Sequence, residues 1–112
     1  MKDMVVVGTA LFAEVVRDYF HEYTDYRVRA FACHAQYKNQ DTFGGLPIVT
    51  VEELDRHHPP GAVDVFVAIG YRKMNKLRQA TYEELKARGY SFASFIAPIV
   101  YRLGRVVLIH QS

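Results

Sequence analysis

Apolar and polar positions along this chain follow two alternating periods. Residues 4–8, "MVVVG", are an uninterrupted apolar run that stops at a glycine. That is the pattern of a strand covered on both faces. Residues 10–23, "ALFAEVVRDYFHEY", switch to a helical period. Leu11, Val15, Val16, Tyr19 and Phe20 make an apolar stripe, with Glu14, Arg17, Asp18 and Glu22 elsewhere. Residues 26–33, "YRVRAFAC", alternate. Val28, Ala30 and Ala32 face one way, and Arg27, Arg29 and Phe31 the other, as on a half-covered strand near a sheet edge.

The polar stretch 34–45, "HAQYKNQDTFGG", reads as loop. "LPIV", 46–49, is a short strand, and its Pro47 suits an edge. Thr50 and Glu53 have the spacing of a capping box that opens the helix "VEELDRHH", which "PPG" at 59–61 ends. "VDVFVAIG", 63–70, is the best central-strand candidate. A longer helix is predicted over about 72–88, stopped by Gly89. "YSFASFI", 90–96, is a last strand, broken by Pro98.

The order β-α-β-(β)-α-β-α-β predicts a small Rossmann-like α/β domain of three layers. Its sheet is parallel, with strand order 3-2-1-4-5. At 112 residues the chain is one domain's worth, and 23% of it is charged. The net charge of +2 gives no global field that would point to nucleic acid or membrane. Cys33 is the only cysteine, which excludes an intrachain disulfide. No run approaches the ~20 apolar residues of a membrane span, and the N-terminus lacks signal-peptide form. A cytoplasmic protein is the expectation.

Two βα turns carry the candidate chemistry. After the first strand a dinucleotide fingerprint would place three glycines where this chain has Gly8, Ala10 and Ala13. The acidic residue that should follow strand two is missing from "AFACH". Both departures argue against NAD. After Gly70 come Arg72, Lys73, Lys76 and Arg78, cations crowded at a helix N-terminus that favours anions. If the first strand neighbours the 63–70 strand, Gly8 and Gly70 flank one crevice beyond the carboxyl ends of the sheet. A phosphate there would offset Arg72 and Lys73; a solvated face is the alternative, and it is favoured for Lys76 and Arg78. His34 lies on the crevice side, within reach of a base or ribose, or else is an exposed loop histidine. Cys33 reads as a buried small hydrophobe. The pair His57 and His58 lacks ligand-spaced partners, so no metal site is assigned. No paired carboxylates, Walker loop or G-x-S-x-G appear, and no catalytic residue is assigned.

"VVVG…AEVVRDYF", "FGGLPIVTVEEL", "DVFVAIGYRKMNKLR" and "ARGYSFASFIAP" resemble the N-terminal domain of the bacterial sugar acyltransferases typified by PglD and NeuD. The likeness runs over nearly the whole chain. It implies a domain that binds a nucleotide-linked amino sugar, a UDP- or dTDP-sugar. It also implies that a left-handed β-helix of hexapeptide repeats follows, binding acetyl-CoA, forming a trimer and supplying the catalytic histidine. On this reading residues 1–97 are the substrate domain, and 98–112, with Leu103-Gly104, begin a truncated β-helix. This chain alone would then hold no cofactor, be inactive, and be a monomer or weak dimer. The implied substrate-binding set is Gly8, Thr9, Ala10, Leu11, Phe12, Cys33, His34, Gly70, Tyr71, Arg72 and Lys73. The chain departs from the family at Leu11, where a glycine is usual, at Phe12, where a histidine often stands, and at Cys33 and His34, where aspartates are frequent. The alternatives are a free-standing regulatory or interaction module with a vestigial crevice, and a Rossmann enzyme fragment that binds NAD or a coenzyme A.

Overall fold

The computed structural model describes residues 2–9, 11–69 and 75–93. Ala10, residues 70–73 and the β-helix start expected at 98–112 lie outside the described residues. Among the described residues are six strands and three helices: β1 (Lys2–Val7), α1 (Leu11–Tyr23), β2 (Tyr26–Cys33), β3 (Thr42–Phe43), β4 (Leu46–Thr50), α2 (Leu54–His57), β5 (Asp64–Val67), α3 (Asn75–Ala87) and β6 (Ser91–Phe92). The sheet order is β3-β4-β2-β1-β5-β6. The five parallel strands therefore run in the expected order, and β3 is added antiparallel at the β4 edge.

β3 is a correction to the loop expected over 34–45. "TFGGLP" is a two-residue hairpin in which Gly44 (φ +57°) and Gly45 (φ +81°) both take the positive φ of a primed turn. Arg17 of α1 donates to the Gly44 carbonyl at 2.6 Å and so ties the hairpin to the helix. A short 3-10 turn, Ala35–Tyr37, also falls inside the supposed loop.

β1 lies between β2 and β5, which is why Val5, Val6 and Val7 are all buried. Each fully buried side chain of this size contributes about 1.5–3 kcal/mol. Its two faces feed two cores. Met4 and Val6 pack with Ala13, Val16 and Phe20 of α1. Val5 and Val7 pack with Leu54 of α2 and Leu85 of α3.

β2 does not alternate as a simple strand, and it is interior, between β1 and β4. Met4 pairs with Val28 but Val5 pairs with Ala30, so Arg29 is an extra residue, a bulge. The bulge shifts the phase of everything after it. Val28, Phe31 and Cys33 share the α1 side, while Ala32 joins the α3 side. The expected grouping of Val28 with Ala32, opposite Phe31, is therefore wrong. Arg27 and Arg29 stay exposed as expected.

Local signals set the helix boundaries. The Thr50 hydroxyl accepts from the Glu53 N–H at 3.3 Å, so half of the capping box forms. Beyond the end of α3, Tyr90 N–H reaches the Leu85 carbonyl and Gly89 N–H the Lys86 carbonyl, both at 3.1 Å, a Schellman closure. Leu85 and Tyr90 then pack in one core. At the amino end of the sheet Asp64 is buried but satisfied. Tyr26 donates to it at 2.6 Å and Lys2 lies at 3.0 Å.

Candidate functional site

The chain leaves β1 toward β2 and β4 on one side, then returns to β5 and β6 on the other. Sheet order thus reverses beside β1, and in open α/β sheets ligands sit in the crevice at the carboxyl ends there. A cavity of about 280 Å³ occupies this place. β1 brings Val7 and the following Gly8 and Thr9. β2 brings Ala32 and Cys33, with His34 and Tyr37 just beyond. Ala68 and Ile69 follow β5. Phe12 of α1 and Leu77 of α3 close the sides.

Gly8 is a structural necessity. Its φ is +141°, and a Cβ there would sit 2.5 Å from the Ala68 carbonyl oxygen. Its N–H donates to the Ala32 carbonyl at 2.7 Å, and Ala68 N–H donates to the Val7 carbonyl at the same distance. Three strand ends are thereby drawn together under the cavity, with small residues at Gly8, Ala32 and Ala68. This floor admits a flat group close to the backbone.

Polar groups are few. Cys33 is a free thiol, buried, and burial pushes its pKa up; Lys38 opposes that shift and Glu52 adds to it. The thiol is thus a neutral, small lining group. His34 is largely buried, and its Nε2 lies 3.1 Å from Oε1 of Glu84 on α3. Oε2 of Glu84 is 3.4 Å from Nη1 of Arg88. Arg88 also donates to the Val51 carbonyl at 2.8 Å and to Asp55 at 3.1 Å. The loop carrying Tyr37 is fastened at both ends. Ala35 N–H donates to Glu52 at 3.0 Å, and Lys38 pairs with Asp41 at 3.0 Å. Tyr37 itself is 47% exposed at the cavity. None of the described lining residues is Asp, Glu, Lys or Arg.

Of the residues named from the sequence, the fold brings together Gly8, Thr9, Phe12, Cys33 and His34. Leu11 is 74% exposed and is not among the lining residues. Ala10, Gly70, Tyr71, Arg72 and Lys73 lie outside the described residues. Sequence reasoning missed Tyr37, Ile69 and Leu77, and also Glu84 behind His34. Tyr37 had a visible signal, an aromatic in a polar segment directly after strand two. Glu84 had none, since 50 positions separate it from His34.

With this geometry in view, the family model for the PglD N-terminal domain matches residues 3–85. The chain belongs to the PglD N-terminal domain family. The match runs from β1 into α3 and takes in every described residue of the cavity lining. Among solved structures, the acetyltransferase domain of PglB from Neisseria gonorrhoeae FA1090, in complex with acetyl coenzyme A, superposes with a TM-score of 0.69 at 22% identity. That superposition covers 87% of this chain and 44% of that one. A second structure of the same domain gives a TM-score of 0.68 at 22% identity, over 88% and 45% of the two chains. This PglD-family chain therefore spans a little under half the length of the solved structures it matches, and the likeness is one of fold. No curated protein gives a significant match. Among the described residues no three potential metal ligands gather, and no helix is long and apolar enough to cross a membrane.

Proposed function

We propose that this domain holds a nucleotide-linked amino sugar, a UDP- or dTDP-sugar, for an acetyl or acyl transfer carried out by residues outside the described domain. The observation that carries the reading is the placement of the cavity. It lies at the reversal of sheet order, over the βα turn at Gly8, in a chain of the PglD N-terminal domain family. A cavity of about 280 Å³ is small beside the usual ligand cleft of roughly 300–1,000 Å³. It suits one ring system rather than a whole nucleotide sugar. Its neutral lining and the aromatic face of Tyr37 suit the nucleoside end. The diphosphate then falls to Arg72 and Lys73, which follow β5 in the sequence.

Titration calorimetry of the 112-residue chain with UDP, dTDP and their amino sugars tests this. Micromolar binding is expected. Tyr37→Ala removes an exposed ring, so folding is retained, and loss of base stacking, roughly 1–3 kcal/mol, weakens binding at least fivefold. One observation favours an interaction module with a vestigial crevice: the described lining carries no charged side chain that would select an anionic ligand. Failure of every nucleotide to bind below millimolar would establish that reading instead.

A further inference from the structure

We propose that Glu84 and His34 form a two-residue acceptor that reads a hydrogen-bond donor on the bound nucleoside, taking the place of the carboxylate that β2 lacks. The proposal rests on the nucleotide reading above. An ionised carboxylate only accepts hydrogen bonds. The 3.1 Å contact between Glu84 Oε1 and His34 Nε2 therefore places the proton on Nε2. In the neutral ring Nδ1 is then the acceptor. His34 lines the cavity, and no described residue is bonded to its Nδ1.

The support behind the ring is built rather than incidental. Arg88 holds the other oxygen of Glu84 at 3.4 Å, leaving Oε1 for the histidine. Arg88 is itself fixed by Asp55 and by the Val51 carbonyl. The chain Asp55–Arg88–Glu84–His34 thus runs from α2 across α3 to the cavity and sets both tautomer and ring orientation. Among the described lining residues the other side-chain acceptors are the hydroxyls of Thr9 and Tyr37. Cys33 keeps its proton, and Ala32, Ala68, Ile69 and Leu77 are apolar. His34 is the group that touches the ligand; Glu84 is a positioning residue that acts through it.

Two donors on a uridine nucleotide fit such an acceptor, the imide N–H of the base and the ribose 2′-hydroxyl. Cytosine has no imide N–H, and a deoxyribose lacks the 2′-hydroxyl. UDP, CDP and 2′-deoxy-UDP therefore separate the two sources. The experiment is calorimetric titration of these three ligands into the parent chain, Glu84→Ala, His34→Asp and the double variant. Glu84 is about two-fifths exposed on a helix, so alanine there is compatible with folding.

The parent is expected to prefer UDP over one of the other two ligands by about three- to tenfold, the worth of one hydrogen bond. Glu84→Ala should erase most of that preference while shifting the disfavoured ligand little. His34→Asp supplies a carboxylate directly, so it should keep the preference, and adding Glu84→Ala to it should change nothing further. A Glu84→Ala effect equal on all three ligands, or absent, overturns the proposal, as does equal sensitivity to Glu84→Ala with Asp at position 34. Binding of UDP by the parent in those cases leaves the nucleotide reading standing. If the parent binds none of the three, this proposal falls, and the nucleotide reading falls with it only if dTDP fails to bind as well.

Discussion

Gly8→Ala separates a close-packed glycine from one that merely turns. The new Cβ would meet the Ala68 carbonyl oxygen at 2.5 Å and the Ala13 Cβ at 3.5 Å. A non-glycine residue held at positive φ costs of order 1–3 kcal/mol. Overpacking against backbone adds about 1–3 kcal/mol, and the lower entropy of the unfolded chain returns about 0.4–1 kcal/mol. The net loss is about 1–5.5 kcal/mol, a large share of the ~5–15 kcal/mol that stabilises a domain. At about 4 °C per kcal/mol the melting temperature should fall by roughly 4–22 °C. Gly45→Ala is the control. Its φ is +81°, yet nothing lies within 4 Å of an added Cβ. It carries only the backbone cost less the same entropy return, so its melting temperature should fall by no more than about 10 °C. Thermal and urea unfolding followed by circular dichroism read both variants. Equal losses for the two would show that the contact with Ala68 is immaterial and that conformation alone demands Gly8.

Tyr26→Phe takes the phenol donor from buried Asp64 and leaves it the Lys2 ammonium at 3.0 Å, and should cost about 1–3 kcal/mol in urea unfolding. Burial first, and then Asp64, push the Tyr26 phenol from 10.0 up to about 12. A raised folded value means that this contribution is fully present below pH 10 and is lost as pH rises through about 12. The parent should therefore lose stability across that window more steeply than Tyr26→Phe, and parallel slopes would refute it. The Cys33 thiol, buried and pushed up, should react with iodoacetamide at pH 8 several-fold more slowly than a free exposed thiol, and more slowly still with nucleotide present. A rate unchanged by a nucleotide that binds would place the ligand elsewhere. Replacing Arg72 and Lys73 together with Ala should weaken UDP-sugar binding at least tenfold by calorimetry, since ~1.4 kcal/mol suffices. Undiminished affinity would mean that the diphosphate does not use them.

Elements buried on both faces were legible because composition alone announces them. β1 and β5 have no polar face to confuse, and α1 carries a wide apolar stripe. The phase of β2 was not legible. Its extra residue is visible only in the pairing with β1, and up to Arg29 the alternation looks regular. The hairpin at Gly44-Gly45 was hidden by strand length, since two residues cannot display a period. The site divides the same way. Gly8, Thr9, Phe12, Cys33 and His34 follow from topology, because strand ends at a reversal of sheet order must meet. Leu77 and Glu84 reach the cavity or its support through helix packing, which depends on how α3 crosses the sheet and leaves no mark in local spacing.

The bulge in β2 also governs how this chain is to be read beside its relatives. Between Val28 and Ala30 the strand carries one residue more than β1 uses. A relative with a regular second strand would align to it only with a single-position gap near Arg29. Without that gap Cys33 is matched to a neighbour's His34 position, or the reverse, and one of the two changes sides of the sheet. Residue-by-residue transfer of function across the end of this strand is thus off by one wherever the insertion is overlooked.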